Sequence, residues 1–384
     1  MEKVDVTIIG AGVIGCAIAH ELSKRSLDIV VLETNPNLTS DNQSSRNSGV
    51  LHSGIYYNPK KEPLKLKLCL EGNRLLYEFC KLHEIPHRRT GKLIVAVNEN
   101  EEDYLEDVFN QGIENKVPVK KLTSKKTRDL EPNVKSSSSL LVPSTGIIDP
   151  TSLVKKLEYL SKENSVIFLT NSEVVNFIPG KNFEITTKRE IFKSRIVINA
   201  SGLNSEKLAR KLNPNLPYKL TPIKGEYAKF RSDKNIKLNG LCIYPVPFGI
   251  YPDGTKFTGS FDEFKKLFNS GVLKRTLGVH LSPSLDCDTV TIGPAYSGIE
   301  KNEDYKPTFS ESYFLESVQR FFPNLKLEDL SLHYTGIQAR LERHKDFIIE
   351  KDPKFENWLN LIGIDSPGLT SSLAIAKYVS NLLN

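Results

Sequence analysis

Within the first 33 residues an apolar run, a glycine-spaced turn, a small-residue helix and a second apolar run ending in an acid follow one another without a gap. Val4–Ile9 is short, apolar and β-branched, as a buried parallel strand requires. Gly10-Ala-Gly12-Val-Ile-Gly15 comes next, Cys16–Ser23 has helical character, and Ile29–Leu32 is a second strand closed by Glu33. The glycines meet separate needs: a tight turn, close approach of backbone to a pyrophosphate, and close packing of helix on strand. The helix start, at Val13 and Ile14, offers free N–H groups and the positive end of the helix dipole to phosphates. Glu33, eighteen residues past Gly15, is spaced to accept hydrogen bonds from a ribose diol. Gly-x-Gly-x-x-Gly alone is a weak signal, but in register with two strands, a helix and a terminal acid it predicts a Rossmann-like dinucleotide unit.

The same stretch, apolar over residues 4–19, is not read as a signal peptide, because Asp5 interrupts it and its glycines are regularly spaced. No other run approaches the roughly 18 apolar residues of a membrane-spanning helix. The chain has 384 residues, 39% hydrophobic and 26% charged, which is globular and long enough for two domains. A net charge of +6 spread over dispersed lysines gives no contiguous basic face and argues against nucleic acid as a partner. Five scattered cysteines, Cys16, Cys69, Cys80, Cys242 and Cys287, form neither a C-x-x-C pair nor a metal spacing. They read as reduced thiols, so a cytoplasmic protein without a metal is expected. The serine run Ser136–Ser139 is expected to be a loop.

After the second strand a plain NAD-binding unit would go on alternating strands and helices. This chain instead enters Ser44-Ser45-Arg46-Asn47-Ser48-Gly49-Val-Leu-His52, a stretch with no helix or strand period. Such a loop can lie along a flavin, offering hydroxyl, amide and guanidinium partners while Gly49 lets the backbone come close. FAD is therefore the expected cofactor.

The chain resembles the FAD-dependent oxidoreductases of the D-amino-acid-oxidase type, and within them the L-2-hydroxyglutarate oxidase/dehydrogenase family. The stretches that carry the resemblance are RNSGVLHSGIYYNP (46–59), LKLCLEGNRLLYEFC (66–80), GKLIVAVNENE (91–101), IYPVP (243–247), LGVHLSPSLD (277–286) and GIDSPGLTSSLAIA (363–376), so it covers nearly the whole chain. It implies an α/β fold: a discontinuous Rossmann-like FAD-binding domain (1–90, 145–215 and 330–384) and a smaller α+β substrate domain with a mixed sheet (91–144 and 216–329). The strand-like stretches Lys92–Val97, Glu226–Phe230 and Thr289–Gly293 suit that sheet.

The remaining flavin contacts follow. Arg195–Ala200 reads as a buried strand and Ser205 as the N-cap of the helix SEKLARKL. The resemblance lays that strand and turn against the dinucleotide, giving Ala200 and Gly202 a role, and assigns Val174 and Gly336 to the same surface. Near the end, Leu359–Ile364 reads as a strand and Ser371–Leu383 as a helix. The turn between them, with Pro367, Gly368, Leu369 and Thr370, has free N–H groups suited to an anion. The resemblance puts that helix start beside the flavin pyrimidine.

Oxidising a secondary alcohol needs a hydride acceptor and a base for the hydroxyl proton. A neutral imidazole suits the second task. The resemblance sets His52 near the reactive face as general base, a pattern shared with glycerol-3-phosphate oxidases. His280 in LGVHLSP is the second candidate, to polarise the substrate oxygen or bind a carboxylate. A small 2-hydroxy acid, foremost L-2-hydroxyglutarate, is the expected substrate, and glycerol 3-phosphate the alternative. Such an anion calls for cationic and hydrogen-bonding clamps. Here the chain departs from the family: Gln338 stands where Gly-Ile/Val-Arg-Pro has its arginine, and Lys224 where relatives usually show another arginine. Arg340, two residues on, shares a face with Gln338 if the segment is a strand. Tyr56, Tyr57 and Tyr244 are candidate donors to a distal carboxylate. Oxygen or a quinone would reoxidise the flavin; the basic, helically spaced Phe261–Leu277 reads first as the solvated face of an ordinary domain helix and second as a surface resting on a membrane, where a quinone would take the electrons.

Overall fold

The computed structural model describes residues 3–40, 42–233, 236–299 and 304–383. Two eight-stranded sheets organise it. In the first, Lys3–Ile9 pairs in parallel with Ile29–Leu32 on one side and with Ile191–Asn199 on the other. Ile167–Leu169 extends the parallel run beyond Ile29–Leu32. The outer edge of Ile191–Asn199 is shared: Phe183–Thr187 pairs antiparallel with its start and Trp358–Ile362 parallel with its end. Residues distant in sequence thus close one sheet.

One face of this sheet is covered by the helices Val13–Leu22, Pro63–Leu82, Pro150–Glu163 and Gly368–Leu382. Their apolar stripes, including Cys16, Leu68, Leu76, Leu157 and Ile375, join one core. The long helix starts at Pro63, and the Asp346 carboxylate accepts the N–H groups of Leu64 and Lys65 at 2.8 and 2.7 Å. That cap satisfies donors a helix start otherwise leaves open. The long helix crosses the last one at Gly72, where a Cβ would lie 2.2 Å from the Thr370 carbonyl.

The second sheet runs in space from Leu330–Gln338 through Ile223–Arg231, Thr289–Gly298, His280–Pro283, Cys242–Pro245, Lys92–Ala96 and Ser138–Val142 to Lys120–Thr123. It is mixed: Cys242–Pro245 and Lys92–Ala96 are parallel, and the other pairs are antiparallel. Leu330–Gln338, expected in the last piece of the flavin domain, belongs to this sheet instead, so the chain returns to the first sheet only afterwards.

Several local expectations are corrected. Ser138 and Ser139 start a strand, because Ser139 is buried and its Oγ meets Thr127 Oγ1 at 2.6 Å. Ser205 is the first residue of its helix rather than the cap, and its hydroxyl donates to the Gly202 carbonyl at 2.7 Å. The last helix begins at Gly368, three residues before the expected Ser371. In the stretch 261–277 only Phe261–Asn269 is helical. Its apolar side faces inward: Phe264 is buried and Phe261 packs on Tyr104 at 4.7 Å, while Asp262, Glu263, Lys265 and Lys266 face out. The helix keeps no apolar face for lipid. Among the described residues no helix is long and apolar enough to cross a membrane, and all five cysteines are free thiols.

Candidate active site

A cavity of about 1710 Å³ runs from the first glycine turn to the start of the last helix and opens between the two sheets. At its first end the backbone is bare for steric reasons. Gly10 has φ +103°, and a Cβ there would lie 2.6 Å from the Ala200 carbonyl; a Cβ on Gly15 would lie 1.9 Å from the Gly10 carbonyl. These contacts press strand, turn and helix together, with Gly12, Val13 and Ile14 facing the cavity. The Val13 N–H donates to Ser44 Oγ at 2.8 Å, a cap that Gly12 has no side chain to supply. Glu33 is buried; its two carboxylate oxygens accept the N–H of Ala11 at 3.0 Å and of Asn35 at 2.9 Å. A carboxylate has about four acceptor positions, so a ribose diol still finds room beside them. Val174, Ala200 and Gly202 complete this end. The bare turn, the buried acid and the long groove fit an extended dinucleotide.

The polar loop is held by its own side chains. Asn47 donates to the carbonyls of Gln43 and Ser44 and accepts from Gly49, while Ser45 donates to Ser40 and Asn42 inside the turn. Arg46 reaches the Thr335 carbonyl at 3.3 Å and lies 4.7 Å from the Tyr305 ring. A Cβ on Gly336 would lie 2.1 Å from the Arg46 carbonyl, so this glycine lets strand and loop touch. His52 follows, with its main chain gripped from two helices. Its N–H donates to Thr370 Oγ1 at 2.9 Å, and its carbonyl accepts from Asn73 Nδ2 at 3.0 Å. Its ring faces the cavity, with Nε2 3.3 Å from Ser366 Oγ. Burial, aided by the charge of Lys92, pushes the imidazole down to about 3, so it is neutral at physiological pH.

His280 stacks on Tyr244 with ring centroids 3.8 Å apart. Its Nδ1 lies 3.3 Å from the Gly278 carbonyl. A carbonyl only accepts, which assigns the neutral ring's proton to Nδ1 and leaves Nε2 a lone pair. Burial lowers this imidazole also to about 3. His280 is therefore an acceptor, and gripping a carboxylate does not suit it. At the mouth, Arg340 donates to Gln338 Oε1 at 2.9 Å, so the two do share a face. Gln338 in turn donates to Tyr296 Oη at 3.2 Å. Asp365 lies 3.8 Å from Arg340 and makes a buried ion pair of 2.7 Å with Lys65. Ser366, one residue on, and Tyr57 both line the cavity, and burial pushes the Tyr57 phenol up.

The cavity thus gathers His52, His280, Tyr56, Tyr57, Arg340 and all the expected cofactor residues except Gly15, Ser45 and Thr370, which act from behind its wall. Two expectations fail. Lys224 and Gly225 alternate on one strand; Gly225 faces the cavity, while Lys224 donates to the Lys306 carbonyl at 2.5 Å and pairs with Asp304 at 3.4 Å. Tyr244 lies outside the cavity wall and supports His280. Residues not singled out from the sequence are Asn73, Ser366, Tyr296, Arg275 and Lys92. Lys92 carried a signal: a lysine opening the otherwise apolar run KLIVAV is odd in a buried strand.

Comparison with known proteins agrees with this geometry. Residues 5–382 match the family model described as FAD dependent oxidoreductase. A mitochondrial L-2-hydroxyglutarate dehydrogenase of Arabidopsis thaliana is 31% identical over 99% of this chain and 83% of its own length. A glycerol 3-phosphate dehydrogenase of Caloramator mitchellensis is also 31% identical, over 99% of this chain and 73% of its own. Among solved structures, dithionite-reduced L-alpha-glycerophosphate oxidase from Mycoplasma pneumoniae with FAD bound superimposes with a TM-score of 0.85 at 28% identity, covering 100% of this chain and 95% of that one. The match spans both sheets and the cavity between them: the chain belongs to the FAD-dependent oxidoreductase family.

Proposed function

We propose that the protein oxidises the secondary alcohol of a small anionic 2-hydroxy acid, foremost L-2-hydroxyglutarate, to the 2-oxo acid. FAD, when bound, accepts the hydride from the alcohol carbon. The part built on the first sheet holds the cofactor, and walls from the second hold the substrate. His52 takes the hydroxyl proton: its ring is neutral, its main chain is held at both ends, and Ser366 orients Nε2. Arg340, steadied by Gln338 and Tyr296, offers a guanidinium to the carboxylate beside the reacting carbon. Tyr57 borders that carboxylate, and His280 accepts a further hydrogen bond from the substrate. Oxygen or a quinone then takes the electrons. The single observation that carries this reading is a neutral, clamped histidine facing the same cavity as an arginine at its mouth.

Glycerol 3-phosphate is the second reading. Two similarities favour it: the glycerol 3-phosphate dehydrogenase that is 31% identical, and the glycerophosphate oxidase that superimposes with a TM-score of 0.85. Anaerobic mixing of holoenzyme with each compound, followed by the flavin absorbance, separates the two. L-2-hydroxyglutarate is expected to bleach the flavin at least about tenfold faster at equal concentration. A faster bleach by glycerol 3-phosphate refutes the first reading.

A further inference from the structure

Lys92 is the least expected charge in the molecule. It opens the strand Lys92–Ala96, all five residues of which are buried, and is itself 1% exposed. Among the described residues no carboxylate pairs with it. Its ammonium instead lies 4.4 Å from the ring of Tyr56 and 4.6 Å from that of Tyr244. Ring faces attract a cation, yet they do not replace the hydration or counterion that burial removes.

The neighbours of Lys92 are unfinished in the same way. The hydroxyls of Tyr56 and Tyr244 are buried and have no hydrogen-bond partner among the described residues. Arg275 pairs with Asp107 at 3.0 Å through Nη1, while its Nε and Nη2 are buried and have no partner among the described residues. Lys92, Tyr56 and Arg275 all line the cavity that holds His52 and His280. A cation, a phenol and half a guanidinium thus border one cavity, each with donors that no described neighbour uses. The chemistry that completes all three is a single anion.

We infer that Lys92, Tyr56 and Arg275 form a second anion subsite, which receives the carboxylate or phosphate of the substrate remote from the reacting carbon. The inference rests on the reading that the substrate is a small anion, and adds where its other end goes. The two clamps differ in depth. Arg340 has a side chain 43% exposed, at the mouth, whereas Lys92 lies at the floor. A substrate spanning them presents one anion to each, with its hydroxyl between, at His52. Specificity for the remote charge then resides in a strand of the second sheet, away from the flavin-binding turn.

The test is a binding titration of holoenzyme, read by perturbation of the flavin absorbance and by calorimetry. 2-Oxoglutarate is compared with 2-oxopentanoate, which has a methyl group in place of the distal carboxylate, and glycerol 3-phosphate with glycerol. Wild-type protein is expected to bind 2-oxoglutarate about 30-fold or more tighter than 2-oxopentanoate. Lys92→Met should bring the two within about threefold of each other by weakening only the dianion, and Lys92→Arg should restore most of the preference. A preference that survives Lys92→Met overturns the subsite, as does a wild-type protein that binds neither anion better than its counterpart lacking the remote charge. If wild type prefers glycerol 3-phosphate, the substrate reading above falls. The subsite then stands if Lys92→Met weakens that phosphate by a similar factor, and falls if it does not. Should Lys92→Met fail to fold, Arg275→Gln carries the same comparison, with a loss of about tenfold expected for the dianion and an unchanged ratio overturning the inference.

Discussion

His52 and Lys92 sit in one cavity and are perturbed in opposite functional senses. Burial leaves the histidine neutral, which a proton acceptor needs, and leaves the lysine a charge with no carboxylate partner among the described residues. Replacing His52 by Ala is expected to slow flavin reduction by L-2-hydroxyglutarate by about 10²–10⁴-fold, with the flavin still bound, in stopped-flow absorbance. Lys92 makes a separate prediction about stability. Its pKa falls from 10.5 in the open chain to about 8 in the fold, chiefly through burial. Unfolding therefore takes up a proton between those values, so stability rises with pH across that window. Below it, the buried charge weakens the fold in full. Lys92→Met should raise the melting temperature of the substrate-free enzyme by about 2 °C or more at pH 7, with the gain shrinking toward pH 10. A scan of thermal melts from pH 7 to 10 checks both the sign and the trend.

Elements were legible in the sequence where a local rule sufficed. The two strands Lys3–Ile9 and Ile29–Leu32, the helix between them and Glu33 lie where periodicity and glycine spacing set them. The serine run near 138 misled because polarity reads as loop, whereas Ser139 finds its partner in Thr127, on a helix not adjacent in the pattern. Lys224 misled for a simpler reason: a one-residue step along a strand changes the face, and only pairing fixes which face is which. Asn73 was illegible because its task, donating to the carbonyls of His52 and Ser144, exists only once three segments meet. The crossing of the long and last helices is likewise a property of the fold. Gly72→Ala would press a methyl group on the Thr370 carbonyl, forcing apart the helices that grip His52 from either side. The expected outcome is a melting temperature lowered by several degrees and weaker flavin retention on gel filtration, roughly 1–3 kcal/mol of overpacking strain.

At the scale of the whole molecule, two sheets enclose one cavity, and the chain passes between them repeatedly. Ligands that touch both therefore fasten one to the other. Adding FAD to flavin-free protein should raise stability by about 4 kcal/mol at a thousandfold excess over Kd, seen as a higher and sharper melt. Shortening the chain after Ile362 removes Pro367, Gly368 and Leu369 from the cavity and the last helix from the core of the first sheet. Such a protein is expected to lose flavin on purification, recognisable as a colourless preparation.

The first sheet takes strands from residue 3 to residue 362, and the cavity beside it is closed by a helix that starts at Gly368. The glycine turn therefore has no opposite wall to hold a dinucleotide against until the helix at Gly368, far along the chain, has docked. Docking of that helix is thus expected to precede capture of the dinucleotide, and flavin-free protein to exchange its amide hydrogens first along Gly368–Leu382.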